Sequence, residues 1–231
     1  MGALRLNLGG APAGPAGTGK TIVLRAVKER LPEARYNVHY IKVTGLSKRD
    51  MCREICFAIG ARMVGNYPAL VRSIQERMLG SFEGDGSRLV LLIDEAHDMY
   101  PASLAILRLL TNFDMDSRLV SSIILAGQPS LHNRLLTQEL NSIATRLSHR
   151  GELRLLSREE SKCYIKHRLR VAGSSSFPFD QGATDAFYEF SRGNMRALDE
   201  LARKSLEFAN QQDSNTVDQN IVLAAKEKLC I

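Results

Sequence analysis

Two kinds of segment alternate along the first two thirds of the chain. Short apolar runs rich in β-branched residues predict strands, and longer stretches with helical periodicity separate them. This alternation is typical of an α/β domain built on a mainly parallel sheet. The predicted strands are Leu4–Leu8, Tyr36–Val43, Leu89–Ile93, Val120–Ala126 and Leu153–Leu156, and the predicted helices cover residues 20–31, 47–61, 68–80, 101–112 and 134–147.

The pattern changes after residue 156, where no further strand is predicted. The stretch SREESKCYIKHRLRVAG begins with Ser157, a suitable N-cap, and carries Glu159 and Glu160 in its first turn. Three more helical stretches follow, at residues 181–191, 194–210 and 216–229. We therefore predict an α/β core over residues 1–156 and a small all-helical lid over residues 157–231.

The composition is that of a globular protein. Hydrophobic residues make up 44% of the chain and charged residues 24%. The net charge of +6 is compatible with a nucleic-acid partner, although an ordinary basic protein explains it equally well. No apolar run reaches the roughly 20 residues that span a bilayer, and no signal peptide is recognised. We expect a cytoplasmic protein without membrane association, whose four cysteines, Cys52, Cys56, Cys163 and Cys230, are reduced.

Residues 14–21, GPAGTGKT, match the phosphate-binding pattern G-x-x-x-x-G-K-[ST] at every position. Its three glycines allow successive N–H groups to converge on phosphate oxygens, and the helix that begins near Lys20 directs its positive end at the same anion. Lys20 can reach the β- and γ-phosphates, and the Thr21 hydroxyl can coordinate Mg²⁺. A simple Gly-rich turn, the alternative, would not require Lys20 and Thr21. The predicted ATP-binding residues are Gly14, Pro15, Ala16, Gly17, Thr18, Gly19, Lys20 and Thr21.

The spacing before this loop is unusual. A strand normally leads directly into the first glycine, but GGAPA separates Leu8 from Gly14.

Two adjacent carboxylates end the most apolar predicted strand, in the stretch LVLLIDEAH. Ligands of open α/β sheets lie at the carboxyl ends of the strands. Asp94 is suited to hold Mg²⁺, and Glu95 to polarise the attacking water in phosphoryl transfer. A solvated acidic turn is the alternative, which the phosphate-binding pattern disfavours. His97 fits no metal-binding pattern, so we expect it to cap a helix or contact a neighbour.

With these residues located, the chain resembles the AAA+ ATPases of the ExeA and MuB/TniB type over about residues 14–230. Members of this group have a P-loop core with a parallel five-stranded sheet and a helical lid, and they assemble into rings or filaments. The resemblance implies an ATP hydrolase that uses Mg²⁺ between neighbouring subunits. It is carried by the stretches GPAGTGKT, LLIDEAHDM, LLTNFDMDS, IILAGQPSL, IATRLSHRGELRLLS and FSRGNMRALDELA.

The resemblance also implies further catalytic and nucleotide-binding residues. Gln128 in LAGQP matches the first sensor, which contacts the γ-phosphate and the attacking water. Arg146 matches the arginine supplied to a neighbour's ATP, Arg150 is a second candidate for that role, and Arg196 matches the second sensor. Guanidinium groups suit such roles because they bind phosphate oxygens bidentately. Ordinary alternatives are a solvated face for Arg146 and Arg150, a snorkelling side chain for Arg196 and a cap on the helix at Pro129 for Gln128.

Relatives in this group carry a segment before the first strand that helps to cover the adenine. Almost nothing precedes Leu4 in this sequence, so we expect altered recognition of the base.

Three uses of the ATP remain open. The first is regulation of transposition, in which an ATP-bound filament on duplex DNA recruits a transposase. The compact length and basic charge favour it, and Lys48, Arg49, Arg53 and Arg62 are candidates for the DNA side, although each is also an ordinary solvated helix residue. The second is an ExeA-like secretion ATPase. The third is a nucleotide switch that hydrolyses ATP poorly.

Overall fold

The computed structural model describes residues 11–111, 120–145, 147 and 149–229. Strands alternate with helices as far as residue 152, and helices follow. The strands are β1 (Ala11–Ala13), β2 (Tyr36–Lys42), β3 (Arg88–Asp94), β4 (Ser121–Leu125) and β5 (Arg150–Glu152). The helices are α1 (Lys20–Arg30), α2 (Lys48–Ile59), α3 (Tyr67–Gly84), α4 (Pro101–Thr111), α5 (Pro129–Leu135), α6 (Asn141–Ala144), α7 (Arg158–Val171), α8 (Gln181–Ser191), α9 (Met195–Gln211) and α10 (Gln219–Glu227).

All strand pairs of the described residues are parallel, as predicted. Strands β2, β3 and β4 form one sheet in that order, and β1 pairs with β5. A parallel bridge between Ala13 and Gly127 joins β1 to the segment just after β4. The carboxyl ends of β1, β3 and β4 therefore lie along one edge, where α/β proteins bind their ligands.

Strand β3 is buried along almost its whole length because helices cover both of its faces. Leu89, Leu91 and Ile93 belong to the main apolar cluster, which includes side chains of α2 to α6. Val90 and Leu92 point to the other face and pack in a smaller cluster with Leu24 of α1. This confirms the prediction of a central strand with two buried faces, and it fixes Asp94 at the end of a rigid element.

Three sequence predictions differ from the structure. Leu4–Leu8 lies outside the described residues. Strand β1 at Ala11–Ala13 leads directly into Gly14, so part of the segment GGAPA is itself a strand and no long loop separates a strand from the first glycine. The single helix at 134–147 is wrong, because a helix starts at Pro129, ends at Leu135 and is followed by the short α6. The last strand is also displaced. It precedes the apolar run at 153–156 and comprises the exposed residues Arg150–Glu152.

Contacts divide the chain into two compact units. The first contains the described residues up to Gly14 together with Lys20–Leu153, and the second contains Pro15–Gly19 and the residues from Arg154 onward. The second unit consists of helices α7 to α10, around an apolar cluster that includes Phe179, Phe187 and Leu198. The division into a nucleotide-binding core over residues 1–156 and a helical lid over residues 157–231 stays a prediction.

The structure also bears on the cysteines and on possible membrane-spanning helices. Cys52 and Cys56 are buried and Cys163 is exposed, all three as free thiols, whereas Cys230 lies outside the described residues. Burial raises the pKa of Cys52 to about 12, which keeps this thiol protonated. No helix in the described part of the chain combines the length and apolar character needed to cross a membrane.

Candidate functional site

The predicted phosphate loop connects β1 to the start of α1. Gly17 and Gly19 have φ values of +79° and +85°, which only glycine adopts at little cost. Gly14 does not have a positive φ, so its predicted conformational role is wrong, and its N–H donates to the Gly127 carbonyl at 3.2 Å. Two positive-φ positions two residues apart give the loop the sharp curvature that a phosphate-binding turn requires.

Lys20 is the first residue of α1 and is only 6% exposed. Its Nζ donates to the carbonyl oxygen of Gly14 at 2.8 Å, so the ammonium group lies across the mouth of the loop. Thr18 is also buried, and its hydroxyl donates to the Pro15 carbonyl at 2.8 Å. Lys20 thus places a positive charge at a helix N-terminus, which is a favourable environment for an anion.

The acidic pair lies at the end of β3, beside the second residue of α1. Asp94 is 2% exposed, and its Oδ2 accepts a hydrogen bond from the Thr21 hydroxyl at 2.7 Å. Its Oδ1 accepts the N–H of Glu95 at 2.9 Å. Thr21, predicted from one motif, and Asp94, predicted from another 73 residues away, are therefore in direct contact.

This pair fits a magnesium ion. Mg²⁺ prefers oxygen ligands, usually one or two protein groups with water and phosphate oxygens completing the shell. Thr21 gives its proton to Asp94, so its oxygen lone pairs remain available to a metal. Thr21 is exposed and lines a cavity of about 790 Å³ together with Arg25, Lys28 and Tyr40, so a ligand can reach it.

Tyr40 is a site residue that the sequence did not indicate. It lies on β2, and its phenol donates to the same Asp94 Oδ2 at 3.0 Å. Burial and the hydrogen bond to Asp94 raise the pKa of Tyr40 to about 12, so the phenol is a neutral donor at physiological pH. The Asp94 carboxylate thus accepts three hydrogen bonds, from two side chains and one backbone amide, which fix its orientation.

Glu95 has a backbone conformation suited to presenting its side chain. Its φ and ψ are 56° and 34°, a left-handed conformation that is uncommon for a residue other than glycine. The turn Ala96–Asp98 follows, and the Ala96 N–H donates to the Ala126 carbonyl at 2.8 Å. The Glu95 side chain is one-third exposed, with Oε2 3.4 Å from Nδ1 of His97. His97 therefore lies beside the Glu95 carboxylate.

Arg134 of α5 stabilises this turn and was also missed from the sequence. Its guanidinium donates to the carbonyl oxygens of His97 and Met99. Such backbone contacts leave no pattern in the sequence, because the acceptors are carbonyl groups that every residue has. Arg134 connects the turn after β3 to the helix that follows β4, and so restricts the position of Glu95.

A model of the AAA domain family matches residues 10–135, which include the loop and the acidic pair. The chain belongs to this family. General secretion pathway protein A of Aeromonas hydrophila is 32% identical to the chain over 217 residues, which cover 93% of the chain but 39% of that protein. The chain thus spans about two fifths of the length of this relative.

Solved structures resemble this chain in fold. The ORC2 protein of Aeropyrum pernix, in ADPNP–ADP complexes, has a TM-score of 0.71 at 11% identity and covers 96% of this chain and 62% of its own. The RuvB Holliday junction branch migration motor of Thermotoga maritima has a TM-score of 0.64 at 20% identity, over 96% of this chain and 61% of its own. The predicted AAA+ fold, a parallel sheet with helices, is confirmed.

Four further predicted site residues are Gln128, Arg146, Arg150 and Arg196. Gln128 is half-buried at the N-cap of α5, where its side chain makes no capping hydrogen bond, so the alternative of a side-chain cap is wrong. Arg150 is exposed on β5 and donates to the Ala144 carbonyl at 3.2 Å. Arg146 lies outside the described residues. Arg196 is exposed near the start of α9, in the second unit.

The candidate DNA-binding residues lie on and just after α2. All four side chains are exposed, and Arg49 donates to the Gly65 carbonyl at 2.6 Å. Phe57 is 80% exposed on the same helix, eight residues after Arg49 and four after Arg53. The four candidates are Lys48, Arg49, Arg53 and Arg62.

Proposed function

We propose that this protein hydrolyses ATP with Mg²⁺ through residues 14–21, Asp94 and Glu95. The loop amides and the N-terminus of α1 bind the phosphates, and Lys20 neutralises charge on the β- and γ-phosphates. Thr21 and Asp94 are the groups that would hold Mg²⁺. When bound, the ion supplies charge stabilisation for the phosphate oxygens. The contact between Thr21 and Asp94 at 2.7 Å is the observation that carries this proposal.

Glu95 is the proposed water-activating residue. The Glu95 carboxylate is one-third exposed at the end of a buried strand, so it can accept a hydrogen bond from water. The neighbouring Asp94 carboxylate accepts hydrogen bonds from the hydroxyl groups of Thr21 and Tyr40 instead. His97 lies close enough to Glu95 to restrict its rotamers. Glu95 thus orients the attacking water and takes up its proton, whereas Asp94 remains a charge-bearing ligand.

Variants of these residues test the proposal. Glu95→Gln keeps the shape of the side chain but not the base, so we expect turnover to fall by about 10²–10⁴-fold with ATP binding retained. Lys20→Ala should lose both binding and turnover. Asp98→Asn, a nearby exposed acid on the following turn, is the matched control and should retain activity. Unchanged turnover in Lys20→Ala would show that the proposed site is not the ATPase centre.

One glutamine and three arginines complete the proposed site. Gln128 senses the γ-phosphate, Arg196 reports the nucleotide to the helical unit, and Arg146 with Arg150 contacts the ATP of a neighbouring subunit. The exposed position of Arg150 supports its role, because a residue that acts on a neighbour must reach the surface. Self-assembly into a ring or filament follows from this arrangement, and Arg150→Ala should lower turnover without lowering nucleotide affinity of the isolated subunit.

The use of the ATP is proposed from the relative and from the surface. Identity of 32% over almost the whole chain to general secretion pathway protein A supports a role as a secretion ATPase. The second candidate is a DNA-bound regulator of transposition that recruits a transposase. It is supported by the exposed basic residues of α2. A weakly hydrolysing switch would show nucleotide binding without the Glu95→Gln effect.

DNA binding separates the two leading candidates. If ATP-loaded protein contacts duplex DNA through α2, its affinity should fall steeply with salt, and Arg53→Ala should reduce the slope of log affinity against log salt by about 1. Arg30→Ala at the end of α1 is the control and should leave the slope unchanged. Absence of salt-sensitive DNA binding would leave the secretion role as the supported function.

A further inference from the structure

Helix α9 begins against the phosphate loop. Residues Pro15–Gly19 belong to the same compact unit as α9, so these contacts lie within one unit. Nδ2 of Asn194 donates to the Ala16 carbonyl at 2.8 Å. The N–H of Met195 donates to the Gly17 carbonyl at 3.1 Å. Two consecutive carbonyl groups of the loop are therefore held by two consecutive residues at the start of a helix.

Asn194 uses both ends of its amide. It is the N-cap of α9, and its Oδ1 accepts from the N–H groups of Arg196 at 3.1 Å and Ala197 at 3.2 Å. Asp and Ser cap helices about as well as Asn. Only the amide of Asn adds an N–H donor that is always present on the same side chain, and this donor contacts the loop. Capping alone therefore does not explain the choice of Asn.

The conformation of Gly17 is adapted to the same contact. A Cβ atom at position 17 would lie 2.1 Å from Oδ1 of Asn194, and the φ of +79° disfavours any other residue. The middle glycine of GPAGTGKT thus serves close packing against Asn194 in addition to its backbone angles. The Asn194 side chain therefore packs directly against the backbone of Gly17.

We propose that Asn194 is a positioning residue that sets the direction of the amides in the phosphate loop. A trans peptide points its N–H opposite to its C=O. Hydrogen bonds that hold the Ala16 and Gly17 carbonyls at α9 therefore turn the N–H groups of Gly17 and Thr18 away from α9. The Thr18 N–H donates to the Pro15 carbonyl at 3.4 Å, so the Gly17 N–H is the amide that Asn194 directs at a ligand. This inference rests on the proposed function, because it assigns that amide to the phosphates.

Asn194→Ser tests this role without adding charge. A serine hydroxyl still accepts the capping hydrogen bonds, but it ends too close to the backbone to reach the Ala16 carbonyl. We expect the thermal midpoint without nucleotide to stay nearly unchanged, hydrogen exchange in the peptide covering residues 14–21 to accelerate, and ADP affinity, measured with a fluorescent ADP analogue, to fall about 5- to 10-fold.

Asp218→Ala is the matched control for a merely structural effect. It removes the N-cap of α10, whose side chain accepts from the Ile221 N–H at 2.9 Å, in the same unit. It should lower the thermal midpoint and leave exchange of the loop peptide and ADP affinity unchanged. If Asn194→Ser keeps wild-type exchange and affinity while Lys20→Ala abolishes nucleotide binding, the role of Asn194 is refuted and the proposed site stands.

Discussion

The two compact units treat charge in opposite ways. Among the described residues, the buried charged side chains are Lys20 and Asp94, and both lie in the first unit. In the second unit, charged residues pair with each other at the surface. The pairs include Arg158 with Asp185 at 2.6 Å and Arg168 with Asp199 at 3.1 Å, with each side chain at least 39% exposed.

The buried charges of the first unit lie at the candidate site, whereas the exposed charges of the second unit contribute little to stability. A buried charge is costly unless hydrogen bonds or an opposite charge compensate it. Asp94 receives three hydrogen bonds and Lys20 donates to a carbonyl, so the first unit tolerates these charges at the one place where a triphosphate and a metal would compensate them further. Exposed ion pairs stabilise little. The second unit must therefore depend mainly on its apolar core.

The largest effect we expect is from Phe187→Ala in the second unit. Phe187 is fully buried and packs edge-to-face on Phe179, with ring centroids 5.0 Å apart. Truncation leaves a cavity, so the free energy of unfolding should fall by about 3–5 kcal/mol, measured by urea titration of the full chain. Phe57→Ala, at a side chain 80% exposed, is the control and should change it by less than about 0.5 kcal/mol. Equal losses in both variants would mean that the apolar core is not what stabilises this unit.

Local chemistry explains which parts of the site could be predicted from the sequence. Residues 14–21 and the pair Asp94–Glu95 form patterns because each is contiguous and needs particular residue types. The N-cap at Ser157 was predicted for the same reason and is confirmed, and the structure adds the reciprocal hydrogen bond to Glu160. Contacts between distant segments leave no such pattern. Tyr40 and Asp94 meet because β2 and β3 pair in a register that places Tyr40 opposite Leu92.

Short elements were the other failure of prediction. Strands β1 and β5 have three residues each, which is too short for a period-two pattern to emerge. They form because they pair with each other, from Ala11 with Arg150 to Ala13 with Glu152. The predicted strand Leu153–Leu156 was placed on the apolar run that follows β5, whereas the predicted strand Leu4–Leu8 lies outside the described residues. Tertiary pairing decides such strands, and it is not encoded in the segment itself.

Tyr40→Phe should have a smaller effect, which arises from the lost hydrogen bond to the buried Asp94 carboxylate in the first unit. Removing the phenol takes one of three hydrogen bonds from Asp94. We expect the free energy of unfolding to fall by about 1 kcal/mol and the Mg²⁺ concentration for half-maximal ATP binding to shift about fivefold. Tyr36→Phe, on the same strand but packed in the smaller apolar cluster, is the control. A shift of the Mg²⁺ midpoint in both variants would assign the effect to β2 rather than to the hydrogen bond.

The smallest effect concerns an exposed charge of the second unit and depends on pH. Hydrogen bonds from Arg154 and from the Ser157 N–H lower the pKa of Glu160 from its ordinary 4.5 to about 2. A carboxylate with a lowered folded-state pKa stabilises the fold above its unfolded pKa, and this contribution is lost as the pH falls from 4.5 through 2.

Glu160→Gln should therefore unfold more readily than wild type at pH 6, and the two urea midpoints should converge as the pH approaches 2. Glu200→Gln, an exposed acid on α9, controls for removal of one negative charge and should follow the wild-type curve. A constant difference between Glu160→Gln and wild type from pH 6 to pH 2 would show that the capping geometry, and not the carboxylate charge, stabilises the start of α7. That result would sharpen the contrast between the two units, because the charge of Glu160 would then add nothing to the stability that the apolar core gives the second unit.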